Sequence, residues 1–441
     1  MGKRPRSAIA STLPIAHARV PKMAAHLAAV TADGGIPLFT RKLGDVKQLP
    51  FAAVGTLNGV HLFSRLRGAT LQSTITNGAK ALWRTYHDSV VLLVLTCYDG
   101  ASDDHLERLL NNVFGAMVMV VGLDALKSIC NPDRLKRDLR GCYCIVDRIL
   151  TQLDQDACTV GDLTGTVDTF LCTESQILQG RLDAFTSEMD TLYGCLLVRG
   201  KVAVATKQWC HLTWQEISLI STLVNSSTKC TSRDVAIYLP SSCPTVCNRL
   251  VTLQLTQAVE LCLLCGPAPS LTVLEEEVYN YWADLQDALK SASNLHPRNF
   301  PLGKTFNKKM VAFPQLDSNV LGFTLINAKQ RRSLTSVHPL EEESTRRTKD
   351  GKCVSLRRRQ EIIRSLYRIV VGTFFPSSDE LKGAHRATEV YLCTEVHKSY
   401  VIRTKEHQLF LLFSTSIPTF AMRFVAYKTL KSLTQNKVCT L

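Results

Sequence analysis

The sequence predicts an α/β (α+β) protein of three similar domains, each a mostly antiparallel sheet packed with helices. Three observations carry this reading. A chain of 441 residues exceeds what one hydrophobic core usually supports, and its 45% apolar content can fill several. The densest apolar runs, VVLLVL at 90–95 and LFLLF at 409–413, have strand length and fall short of the roughly 18 residues of a membrane span. A similar order of strands and helices recurs three times, and on each pass an apolar strand enters a short turn and then a helix.

The first pass opens with apolar stretches at 27–30 and 36–39 around the turn Asp33-Gly34-Gly35, which reads as a hairpin. FAAVGTLNGVHLF follows Pro50, with Phe51, Val54, Leu57 and Leu62 able to share one side of a helix that Gly55 and Gly59 weaken. Strands are expected near 71–76, 80–86 and 90–97. A helix over 103–122 has Leu106, Leu109, Leu110, Val113 and Met117 at the helical period, with Ser102 or Asp103 as its cap. A last helix is expected over 132–150.

The second pass starts after a Gly- and Thr-rich joint at 160–166. Stretches 192–198 and 202–206 flank Arg199-Gly200 as a hairpin, and a helix is expected over 213–223. Strands at 235–239, 250–256 and 259–265 lead through GPAPS into a helix over 271–289, capped by Ser270 or Thr272. The third pass has strands at 320–326 and 334–337, a charged insertion, and a helix over 358–374 with Ile362, Ile363, Leu366, Ile369 and Val370 inward. Strands at 390–394, 400–403 and 408–413 precede a closing helix over 418–433, where Pro418 suits a first turn. The expected domains are 23–155, 156–295 and 296–441, the last with a charged insertion at 338–356. Residues 1–22 read as a disordered basic leader; a transit peptide, or a start near Met23, are the alternatives.

The formal charge of +14 suits an acidic partner. It is concentrated at Lys329, Arg331 and Arg332, then Arg346 and Arg347, then Arg357, Arg358 and Arg359. No nucleic-acid recognition motif stands beside these clusters, so nucleic acid is not an expected partner. An anionic membrane, an acidic subunit, or plain solvation of a charged face remain. The 16 cysteines read as reduced, mostly buried thiols, which suits the cytoplasm.

Leu302-Gly303-Lys304-Thr305 looks like the end of a phosphate loop, but its first glycine would fall at Arg298, so no phosphate cradle is expected. Cys262 and Cys265 have zinc-like spacing on a run that reads as a strand, where three residues apart means opposite faces. No HExxH, GxSxG or kinase set occurs, and His87-Asp88 reads as a strand-joining turn. No metal, cofactor or catalytic residue is expected, although a triad assembled from distant residues would escape this reading.

Several long segments occur together in order: LPFAAVGTLNGVHLF at 49–63, YHDSVVLLVL at 86–95, LERLLNNVFGAMVMVVGLDAL at 106–126, RLKRDLRGCYCIVD at 134–147, VAIYLPSSCPTV at 235–246 and VELCLLCGPAPSL at 259–271. They resemble the Fuzzy family of planar cell polarity effectors, from about residue 23 onward and most loosely in the basic third. That family is similar to other proteins built of three longin-type domains, in agreement with the three passes. The resemblance implies a partner, Inturned, and a larger ciliogenesis complex with the WD-repeat protein Fritz. It further implies action on a Rab-family GTPase as part of a two-subunit exchange factor, at the cytoplasm and the cytoskeleton of the ciliary base (basal body), in cilium assembly and Hedgehog signalling. A structural adaptor, a Rab effector and an uncharacterised hydrolase are the competing functions. The expected partner surface is Phe51, Val54, Gly55, Leu57, Asn58, Gly59, Leu62 and Phe63 on the first-domain helix; the alternative is that its large apolar residues cover only their own sheet, and opposite faces can serve both tasks.

Overall fold

Turn residues set the pattern of the fold. His87 and Asp88 both take the left-handed conformation (φ 50° and 53°), as do Arg199 and Gly200 (φ 48° and 73°), so two-residue turns close hairpins at the predicted places. Gly35 and Gly200 are also left-handed, and a side chain on either would collide with an asparagine of the next helix, Asn58 or Asn225. The same turn-to-helix packing thus occurs in two successive domains. The computed structural model describes residues 24–76, 78–97, 101–153, 160–300, 316–338, 355–373 and 388–435.

The first domain holds β1 (Ala25–Thr31), β2 (Pro37–Leu43), α1 (Phe51–Leu66), β3 (Ser73–Thr76), β4 (Ala79–Tyr86) and β5 (Val90–Cys97), then α2 (Asp103–Val121), α3 (Leu123–Lys127), α4 (Pro132–Asp138) and α5 (Tyr143–Thr151). A joint follows with α6 (Gly161–Thr164) and β6 (Val167–Asp168). The second domain holds α7 (Ser175–Glu188), β7 (Tyr193–Val198), β8 (Lys201–Ala205), α8 (Trp214–Ser226), β9 (Ser232–Leu239), β10 (Cys243–Gln254), β11 (Val259–Cys265), α9 (Leu271–Trp282) and α10 (Gln286–Asn294). The third holds β12 (Val320–Asn327), β13 (Arg332–Val337), α11 (Leu356–Thr373), β14 (Glu389–Cys393), β15 (Lys398–Arg403), β16 (His407–Phe413) and α12 (Thr419–Gln435).

Each domain has one strand order. The sheets run β2-β1-β5-β4-β3, β8-β7-β11-β10-β9 and, read from its far edge, β13-β12-β16-β15-β14, all antiparallel within themselves. The first and last strands of every domain are central neighbours, which is why VVLLVL and LFLLF carry no polar face: both sides are covered. The fold class read from the sequence stands.

The described residues divide into two compact units, one holding those within 24–153 and 174–293, the other those within 160–173 and 294–435. In the first unit, α2 and α5 of the first domain pack on α8 and β9 of the second. Gly115 makes this possible: an added Cβ would stand 2.8 Å from Leu219 Cδ1. Gln215 Nε2 donates to the Asn111 carbonyl at 2.8 Å, and Tyr238 of β9 lies against Gly122. Helix α8 begins with a capping box in which Thr213 and Glu216 exchange hydrogen bonds.

In the second unit the joint is built into the third domain. β6 pairs in parallel with β13, Thr169 N and Oγ1 both donate to the Ser333 carbonyl at 2.8 Å, and Phe170 is fully buried. Arg364 of α11 grips Asp162 through two hydrogen bonds, at 2.5 and 2.9 Å, with both side chains nearly sealed from water. Residues 160–173 were expected in the second domain; their strand pairing and this ion pair place them with the third.

Other differences have local causes. The helix expected over 132–150 breaks at Leu139–Cys142 into a 3-10 turn, where Gly141 lets Val120 of α2 approach to 3.0 Å of an added Cβ. The helix over 271–289 likewise breaks at Ala283–Leu285. The strand at 250–256 is the second half of a longer β10, whose first half carries Pro244 and a register shift between Cys243 and Cys247. Helix α7 was not anticipated. Ser102 and Ser270 cap α2 and α9. The expected leader 1–22, the stretch Leu302 to Thr305, Arg346, Arg347 and most of the insertion at 338–356 lie outside the described residues, as does Phe374.

Candidate partner-binding surface

Helix α1 crosses one face of the first sheet and divides its residues between two environments. Val54 is buried with Ala28, Val30, Ala81, Trp83, Val91 and Leu93, and Leu57 packs half-buried on the same cluster. Asn58 is buried over Gly35, and His61 is buried with Nε2 3.2 Å from Thr85 Oγ1. Burial, reinforced by the nearby Arg65 charge, holds the His61 pKa below its ordinary value. Val54 and Asn58 were expected to face a partner; both face their own domain instead. Leu62 is half-buried at the border.

The opposite face is open. Phe51 is 71% exposed, Val60 47%, Phe63 60% and Leu66 85%. Gly55 and Gly59 lie on this side with no atom within 4 Å of an added Cβ. Phe51, Gly55, Gly59, Phe63 and Leu66 recur at helical spacing, so they form one stripe. Side chains this large gain roughly 1.5–3 kcal/mol each on full burial, so a partner that covered this row would gain from each of them. The glycines leave a channel in which a second element can approach closely.

β3 forms the outer edge of the same sheet and exposes Ile75 at 59%. Helix α1 has no acid in its first turn, Arg65 in its last turn pairs with Asp88 at 3.5 Å, and the Arg67 guanidinium sits 5.4 Å over the Phe63 ring. Of the eight residues expected here, Phe51, Gly55, Gly59 and Phe63 meet on the open stripe. Val60, Leu66 and Ile75 were missed, although the spacing from Phe51 to Leu66 already carried the signal.

The predicted basic patch is not one surface. Lys329 and Arg331 are exposed at the β12–β13 turn, with Arg332 half-buried after it. Arg357 and Arg358 start α11 at the other end of β13, about 20 Å away for a six-residue strand, and both reach Glu361. Arg359 is buried and donates to the His338 carbonyl at 2.8 Å, so it serves the fold and is no part of a surface patch.

Among the described cysteines Cys142, Cys172, Cys195, Cys262 and Cys265 are buried, but Cys130, Cys144, Cys210, Cys230, Cys247 and Cys393 are exposed, so the thiols are not mostly buried as expected. Cys262 and Cys265 are buried on β11 and desolvation raises both thiol pKa values, that of Cys265 to about 11. Cys142 is buried and raised to about 12, while Cys144 is exposed. Among the described residues no group of three or more His, Cys, Asp or Glu converges on one point, and no helix is long and apolar enough to cross a membrane.

Comparison with known proteins places this geometry. Residues 25–149 match the family described as first Longin domain of FUZ, MON1 and HPS1; residues 189–283 match the second and 319–437 the third. The chain is 38% identical to Protein fuzzy homolog of Xenopus tropicalis, across 93% of this chain and 98% of that one. It is 37% identical to the Homo sapiens protein of that name, over 93% and 97%. The chain belongs to the Fuzzy family. Its three sheets are the three longin domains of that family, and α1 is the helix that the first longin domain carries between its second and third strands.

Proposed function

We propose that this chain is a non-catalytic subunit that pairs with Inturned through the outer stripe of α1, and that the pair promotes nucleotide release from a Rab-family GTPase. Fritz, the WD-repeat protein, joins them in the ciliogenesis and planar polarity effector complex. The setting is the cytoplasm at the ciliary base, in cilium assembly and Hedgehog signalling. The observation that carries the reading is the open row Phe51, Phe63 and Leu66 beside Gly55 and Gly59, on the first domain of a chain whose relatives are fuzzy homologs.

Exchange needs no nucleophile, metal or proton relay. An exchange factor works by binding the nucleotide-poor GTPase more tightly than the loaded one, so the binding difference lowers the barrier to release. Apolar surface and shape do this work. An anionic membrane is a further partner for Lys329 and Arg331.

The test is release of fluorescent GDP from candidate Rab proteins by the chain with Inturned, beside each chain alone. Faster release with the pair supports exchange. A folded pair that binds only the GTP-loaded Rab and accelerates nothing supports an effector or adaptor.

A further inference from the structure

Helix α12 closes the third domain as α2 closes the first. Each begins six residues after its domain's fifth strand ends. Counted from those starts, Phe420, Phe424, Tyr427 and Lys431 occupy the positions of Asp104, Arg108, Asn111 and Gly115. In the first domain the later part of this face is used. The Asn111 carbonyl accepts from Gln215, Leu219 fills the space above Gly115, and Tyr238 lies on Gly122. Gln215 and Leu219 belong to α8, between the second and third strands of the second domain, and Tyr238 belongs to its third strand. The chain therefore contains a worked example of what covers this helix in a longin domain: the helix-and-third-strand side of another longin domain.

On α12 the corresponding face is bare. Phe420 is 88% exposed, Phe424 72% and Tyr427 43%, while Met422, Val425, Ala426, Leu430 and Leu433 are buried in the domain core. The face is also organised. Tyr427 Oη donates to Glu389 at 2.7 Å and Arg423 Nη2 at 3.0 Å, which fixes one side of the aromatic row before anything binds. Arg423, Lys428 and Lys431 are exposed around it.

We propose that α12 docks the helix-and-third-strand face of a longin-type domain in a partner chain, and that this partner face is acidic. Charge selects the occupant. Lys431 stands where α2 has Gly115, so the approaching helix meets a cation instead of a gap, and an acidic side chain answers it. A second copy of this chain would offer α1 and β3, the equivalent face of the first domain. That helix has no acid among its residues, and its Arg65 is already paired with Asp88, with Arg67 just beyond, so its own residues offer no carboxylate to answer Lys428 and Lys431. A different chain is required. The inference rests on the proposed pairing and assigns it a second contact surface.

Inturned is the probe. The full chain is compared alone and in complex by peptide-resolved hydrogen exchange, and its affinity is measured for the Phe420→Ser/Phe424→Ser and Lys431→Glu variants, each checked for an unchanged unfolding midpoint. The expected result is slower exchange over 419–435 in the complex and at least tenfold weaker binding by both variants. Protection of 51–66 with none over 419–435 leaves the pairing standing and overturns this second surface. Protection at neither helix overturns both. Self-association of the chain alone that Phe424→Ser abolishes overturns the choice of occupant.

Discussion

Leu219 of α8 stands where any side chain on Gly115 of α2 would have to go, with its Cδ1 2.8 Å from that position. The first and second longin domains are joined across this contact, so Gly115→Val is expected to destabilise the unit by about 1–3 kcal/mol through overpacking. A lowered midpoint in thermal unfolding checks it.

Gly55 and Gly59 present the reverse case, since nothing lies above them in the isolated chain. Alanine there should stabilise the lone chain by about 0.5–1 kcal/mol per site through helix propensity. It should also weaken capture of Inturned, because the channel is narrowed. Unfolding midpoints and a binding titration of the same variants separate the two effects.

Glu216 is fully buried and accepts hydrogen bonds from Thr213, Ser241 and Ser242. Burial alone would raise its pKa; the hydrogen bonds from Ser242, Thr213 and Ser241 overcome this and hold it below the ordinary glutamate value. A depressed folded pKa stabilises above the unfolded value and ceases to do so as pH falls through the folded one. Wild type should therefore lose stability below about pH 4.5, and Glu216→Gln should be less stable at pH 7 with a flatter acid limb. Urea unfolding at pH 7, 5 and 3 measures this.

The Asp162–Arg364 pair fastens the joint to the third domain, with side chains 6% and 1% exposed. Asp162→Ala removes both of the pair's hydrogen bonds from the buried Arg364 charge and should cost about 3–5 kcal/mol, while replacing both residues with apolar ones of similar volume should cost far less. A double-mutant cycle on unfolding free energy reads the coupling. The same contact means that a fragment covering only 294–441 should be less stable than one that also carries 160–173.

Much of the fold was legible because its signals are local. Val90 to Cys97 and Leu409 to Phe413 announce central strands by apolar content alone, and His87-Asp88 announces its turn. The joint was not legible: nothing around Val160 to Thr166 says that Asp162 will meet a residue 202 positions away. Helix α7 was hidden because only Leu178, Leu182 and Phe185 of its apolar side chains are buried and Gly180 interrupts it. At the proposed partner surface, the sequence pointed to α1 but mixed its two faces. Val54 and Asn58 lie on the inner side of the same helix that turns Phe51 and Phe63 outward, and three-dimensional packing decides which side meets the sheet.

That division of faces gives the most direct test of the account. The affinity of Inturned for the full chain should be measured for Phe51→Ser/Phe63→Asp, with Leu57→Asp as the contrast. The outer variant should unfold as wild type does and bind at least tenfold more weakly, about 1.4 kcal/mol, whereas Leu57→Asp should lose fold stability because Leu57 packs on its own sheet. A folded outer variant that captures Inturned with unchanged affinity would contradict the assignment of α1 as the partner surface.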